Sequence, residues 1–116
     1  MKRFEMIKDK KHFNYIIKHG KFVKDKNFVI YYVYNKENEF PHFGIAIKNS
    51  IGKAVIRNKL KRQTRSIIDN NKKLFKKDLD YIIMIRKDCL ENSYENKNES
   101  LNRLLKGIYW WKKIKN

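Results

Sequence analysis

Apolar positions recur along this chain with two different periods, and the switches between them mark its elements. Between Asp9 and Gly20, Phe13, Ile16 and Ile17 fall at helical spacing. Asp9 offers an oxygen to free backbone N–H groups and Gly20 ends the periodic stretch, so the spacing predicts a helix from Lys10 to His19. Phe22 to Tyr34 is dense in aromatic and branched residues and reads as one long strand bent into two. Asn35 to Glu39 reads as a hairpin turn and roughly Phe43 to Lys48 as the return strand. A helix follows from about Lys53 to Asn70, and then the strand Tyr81 to Arg86. In Tyr94 to Tyr109, Leu101, Leu104, Leu105 and Ile108 return to helical spacing behind Ser93, a suitable cap, and Trp110 and Trp111 are expected to seal the end of that helix. The order is α-β-β-β-α-β-α, an α+β chain whose economical solution is one sheet with helices packed on it.

At 116 residues the chain has room for one core, and residues 1–116 read as a single domain. Large multi-domain catalysts are excluded. Its formal charge of +17 opposes compactness, a cost that a polyanionic partner relieves, so nucleic acid is the expected partner. The one cysteine, Cys89, has no partner for an internal disulfide. No apolar run, Tyr81 to Ile85 included, approaches the roughly 20 residues that span a bilayer. Met1 to Lys11 lacks the apolar segment of a signal peptide. A cytoplasmic protein without a membrane association or an obligate protein partner is expected.

The charge is unevenly spread. Residues 48–68 carry seven basic side chains and no acidic one, whereas residues 27–47 are close to neutral. On the central helix, Ile56, Leu60 and Ile67 form an apolar stripe suited to the sheet, with Gln63 and Thr64 at its borders. Arg57, Lys61 and Arg65 stand at i, i+4 and i+8, a cationic ridge about 12 Å long. Like charges four apart repel by a few tenths of a kcal/mol, so the ridge does not serve helix stability. Three of the six arginines lie here, and the planar guanidinium fork matches phosphate oxygens where lysine offers a point charge. A solvated basic face would present the same residues without a partner.

Other residue types add little catalytic chemistry. His12, His19 and His42 make no metal pattern, being distant in sequence and unaccompanied by a cysteine pair. Cys89 reads as an inert thiol. Asp78 and Asp80 stand at the entrance to a strand, where a turn role accounts for them. No catalytic or metal-binding set converges. Along Phe28 to Tyr34 the alternation puts Val29, Tyr31 and Val33 on one face and Phe28, Ile30, Tyr32 and Tyr34 on the other. Tyr31 and Phe13 fit a core role as well as a base-stacking one. Chemistry alone leaves two classes open, an RNA-binding subunit of a ribonucleoprotein enzyme and a structural RNA-binding protein such as a ribosomal one.

The stretch from Gly52 to Arg65, GKAVIRNKLKRQTR, resembles the signature of the protein component of bacterial ribonuclease P. The likeness extends in order to Phe13, Gly20, Phe28 to Tyr31, Gly44 and Asp80 to Ile83. It implies a small two-layer α/β sandwich, ribosomal protein S5 domain 2-like, with a left-handed βαβ crossover. It also implies that a catalytic RNA, with bound magnesium, removes the 5′ leader of precursor transfer RNA while the protein assists. By that resemblance Lys53, Arg57, Asn58, Lys59, Lys61, Arg62 and Arg65 would bind the catalytic RNA. Phe13, Ile17, Tyr31 and Lys87 would line a cleft for the leader. The chain departs from the pattern at Lys59, which replaces an arginine, at Asn49 and Ser50, which replace a lysine pair, and at Ile17, which replaces an aromatic residue.

Overall fold

The computed structural model describes residues 5–115, with side chains as far as residue 108, so Trp110 and Trp111 lie outside the described side chains. The elements are α1 (Lys10–His19), β1 (Lys21–Lys24), β2 (Phe28–Tyr34), β3 (His42–Ile47), α2 (Ala54–Asn70), β4 (Leu79–Ile85) and α3 (Tyr94–Lys115). Asp9 accepts from the Lys11 N–H at 3.0 Å and Ser93 Oγ from the Asn96 N–H at 3.1 Å, as their places before α1 and α3 predict. A Cβ on Gly20 would stand 2.4 Å from the Ile16 carbonyl oxygen and 2.9 Å from that of Tyr32. Only glycine lets α1 end so close to β2.

The four strands lie in the order β1-β2-β4-β3, with β3 and β4 parallel and the other pairs antiparallel. Residues opposite one another share a face. Phe28, Ile30 and Tyr32 therefore join Tyr81, Ile83, Ile85 and Phe43 on the face covered by α2 and α3, which contribute Leu60, Ile67, Ile68, Leu101, Leu104, Leu105 and Ile108. Phe75 meets Phe43 and Tyr81 edge-on, with centroids 4.7 and 4.8 Å away. The Tyr81 hydroxyl accepts from the Lys76 N–H, and its burial pushes its pKa well above the usual phenol value. Helix α1 lies on the opposite face. Its Ile16 is fully buried, and Phe13 and Ile82 approach Gly44 so closely that an added Cβ would meet each at 2.6 Å. Ten residues of helix cover about 15 Å, so the remainder of this face is left open.

Two expectations about the strands are corrected. The stretch read as one bent strand is a β1–β2 hairpin, turned by Asp25, whose Oδ1 accepts from the N–H groups of Asn27 and Phe28. The expected hairpin between β2 and β3 does not form, because β4 lies between them. Six of the seven β4 residues are buried, and only the centre of the sheet covers so apolar a strand on both sides. After β2 the chain stays bonded to that strand's approach, Asn35 N–H donating to the Asp78 carbonyl at 2.7 Å, before it crosses to β3.

Asp80 also differs from its expected role: it is a buried hub within β4, not a turn residue. Although only 1% exposed, it accepts from Asn38 Nδ2 at 2.6 Å, His12 Nε2 at 2.8 Å, Asn35 Nδ2 at 3.1 Å and His42 Nδ1 at 3.1 Å. One carboxylate thus ties α1, the segment after β2 and β3 to the central strand. Burial pushes its pKa up, but the hydrogen bonds from Asn38, His12 and Asn35 and the charge of His42 outweigh that and leave it below the ordinary aspartate value. A group whose folded pKa is depressed stabilises above its unfolded value, near 3.9, and loses that contribution as pH falls through the folded value. Asp80→Asn is expected to cost about 2 kcal/mol at pH 7. It should also flatten the loss of stability below about pH 4. Urea unfolding of both proteins across pH 2.5–7 checks this, and parallel curves would contradict it.

Candidate nucleic-acid interface

Helix α2 presents its cations outward because its apolar residues are drawn to the core from one side only. Leu60, Thr64, Ile67 and Ile68 are buried, and Thr64 satisfies its hydroxyl by donating to the Leu60 carbonyl at 2.8 Å. Ile56 departs from the expected stripe. It is 41% exposed and Val55 79% exposed, so contact with the core begins one turn later, at Leu60. Lys53, Asn58, Lys59, Arg62 and Arg65 are exposed, and Arg57 and Lys61 half-buried. Arg57 Nη1 donates to the Gly52 carbonyl at 2.7 Å, which fixes the approach to the helix. No acidic residue stands in the first turn, and among the described residues none of these cations forms an ion pair. Their charge is left for an external anion.

The flank of α2 toward α3 is held by hydrogen bonds, Ser66 and Asn70 meeting the Tyr94 hydroxyl. Lys97, buried, donates to Gln63 Oε1 at 2.6 Å and to the Cys89 carbonyl at 3.3 Å. Burial lowers its pKa, the neighbouring Cys89 opposes that, and Lys59 reinforces it. The Cys89 thiol donates to the Asn27 carbonyl, and burial pushes its pKa up to about 11, which leaves it an unreactive thiol at neutral pH.

On the sheet face that α1 leaves open lies a groove of about 550 Å³. Phe22, Val29, Tyr31 and Met84 form its apolar part, Lys24, Lys48, Arg86 and Lys87 surround them, and among the described residues no acidic one lines it. The register explains the floor, since Tyr31 stands opposite Phe22 on β1 and Ile82 on β4. Ser50 and Ile51 form another wall and lead directly into α2, so the groove and the basic helix are contiguous.

Of the residues expected in a cleft, Tyr31 and Lys87 meet in this groove. Phe13 and Ile17 do not line it; both are half-buried in α1, Phe13 against Gly44 and Ile82 farther along the same face. Phe22, Lys24 and Arg86 were not expected there. The Asp25-Lys26-Asn27 turn is the signal that could have identified Phe22, because it folds residues 21–24 back onto 29–32. A second concavity, of about 460 Å³, at the other end of β4 is lined by Lys73, Lys76, Lys77 and Lys106, with the buried Phe75 as its aromatic residue. Among the described residues no group of three or more His, Cys, Asp or Glu side chains is placed to hold a metal ion, and no helix is long and apolar enough to cross a membrane.

Known proteins share this fold and sequence. The Ribonuclease P family profile matches residues 1–109. The ribonuclease P protein component of Mycoplasma capricolum is 40% identical over 109 residues, covering 93% of this chain and 99% of that protein. That of Streptococcus pneumoniae is 33% identical over 106 residues, covering 91% and 85%. Among solved structures, the RNase P protein of Staphylococcus aureus superposes with a TM-score of 0.79 at 31% identity, covering 88% of this chain and 93% of that one. The RNase P protein from Thermotoga maritima gives 0.78 at 31% identity, covering 88% and 96%. A basic helix and an acid-free groove thus stand on a fold and a sequence shared along nearly their whole length with these proteins, and the chain belongs to the family of ribonuclease P protein components.

Proposed function

We propose that this chain is the non-catalytic protein subunit of ribonuclease P, holding the catalytic RNA on α2 and the single-stranded 5′ leader of precursor transfer RNA in the groove. The observation that carries the reading is the continuity of the two surfaces: the groove wall at Lys48, Ser50 and Ile51 runs straight into the helix that bears Arg57, Arg62 and Arg65. Two RNA strands held side by side need two such surfaces with no acid between them. Unpaired nucleotides expose a π-face and a phosphate, and the groove offers Tyr31 to the first and Lys87 to the second. Magnesium belongs to the RNA partners in this reading, since the described side chains do not fit a metal site. The work left to the protein is positioning and charge neutralisation.

Two measurements test the halves of the proposal. Each phosphate contact removed from α2 should lower the salt slope of catalytic-RNA binding by about 0.7 to 0.9. Arg62→Ala and Arg65→Ala should show this alone. Arg57→Ala should lose additional affinity at every salt concentration, because its guanidinium also holds the Gly52 carbonyl. Unchanged slopes in all three would mean that the helix faces something else. For the groove, Tyr31→Ala should weaken binding of precursor to the assembled enzyme by about 1 to 3 kcal/mol and spare mature transfer RNA and assembly. A lower melting temperature with discrimination intact would make Tyr31 a packing residue instead.

A further inference from the structure

Phe22 has no counterpart in the core. It stands on the edge strand β1 with 54% of its surface exposed, on the groove side of the sheet. A ring so uncovered gains little from burial, and a charged or β-branched residue would protect an edge strand better. Its centroid lies 5.9 Å from that of Tyr31, the planes tilted by 49°, so the two rings form adjoining facets of one floor and not a closed stack. Lys24 Nζ lies over the Phe22 ring, 6.0 Å from its centre, and Lys87 lines the same groove. An apolar π-face flanked by cations and free of acids matches an unpaired nucleotide, whose base stacks while its phosphate is neutralised.

We propose that Phe22 is a second stacking platform for the leader, taking the base of a different nucleotide from the one on Tyr31. The inference rests on the leader-groove reading above and extends it from one nucleotide to two, with β1 as the outer part of the leader track. A facet on each of two antiparallel strands accepts two bases splayed along an extended strand. Because stacking reads the face of a base and not its edge, this second contact is tolerant of leader sequence.

The test uses the enzyme reconstituted from the protein and its catalytic RNA, with precursor transfer RNAs whose leaders carry a single abasic nucleotide at successive positions. Phe22→Leu keeps an apolar side chain on the edge strand but removes the π-face, and should weaken binding of the intact precursor by about 5- to 150-fold. Mature transfer RNA binding and the melting temperature should be unchanged, and Phe22→Trp should restore affinity. At one leader position the abasic substitution should add nothing to Phe22→Leu, and that position should differ from the one coupled to Tyr31→Ala. Wild-type affinity in Phe22→Leu, additivity at every position, or coupling at the Tyr31 position would overturn the inference. So would a lowered melting temperature with equal loss for precursor and mature substrates. If Tyr31→Ala couples to a leader position and Phe22→Leu does not, the Phe22 proposal alone falls; if neither couples anywhere, the leader-groove reading falls with it.

Discussion

Strand β4 is covered on both faces, by the α2 and α3 core on one side and by α1 with Phe13 and Ile16 on the other. Its central place fixes β2 and β3 as its two neighbours and makes the faces of the sheet unequal. Two long helices cover the first face from Phe28 to Tyr32. The second receives a helix of ten residues, pinned at one end of β4 through Asp80 and His12. The other end of that face, from Met84 to Lys87, is therefore open, and the groove is the part of the sheet that the fold has no helix to cover.

Charge follows the same division. Four acidic side chains serve local purposes: Asp9 caps α1, Asp25 turns the β1–β2 hairpin, Asp80 joins three elements to β4, and Glu5 pairs with Lys72. None is spent on the ridge of α2 or on the groove. A chain of charge +17 whose α2 cations form no ion pair among the described residues keeps a standing repulsion, and proximity to a polyanion removes it. Ile17 on α1 carries no aromatic ring, whereas Phe22 on the edge of the sheet exposes one in the groove.

Elements with local signals are legible in the sequence. Helix α1 is readable because Asp9 and Gly20 mark both ends, and the two faces of β2 because alternation follows from the pleat. The basic face of α2 follows from its angular spacing. Strand neighbours are not legible, since periodicity states which way a side chain points and nothing about which strand lies beside it. The role of Asp80 is hidden for a related reason. An aspartate ahead of an apolar run looks the same whether it closes a turn or collects Asn35, Asn38, His12 and His42 from remote segments. Ile56 shares the angular stripe of Leu60, but the period does not say at which turn the helix first meets the core. Phe22 gains meaning only through the hairpin that brings it to Tyr31.

Two contiguous surfaces meeting two different RNA strands, as proposed, are distinguished most directly by lysine-modification footprinting read by mass spectrometry. The protein is labelled alone, with catalytic RNA, and with catalytic RNA plus either precursor or mature transfer RNA. Catalytic RNA is predicted to protect Lys53, Lys59 and Lys61, and a leader-bearing precursor, but not mature transfer RNA, to add protection at Lys24 and Lys87, while Lys73, Lys77 and Lys106 at the far end of β4 stay reactive. Equal protection of Lys24 and Lys87 by mature transfer RNA, or protection of the far-end lysines while those of α2 remain reactive, would contradict it.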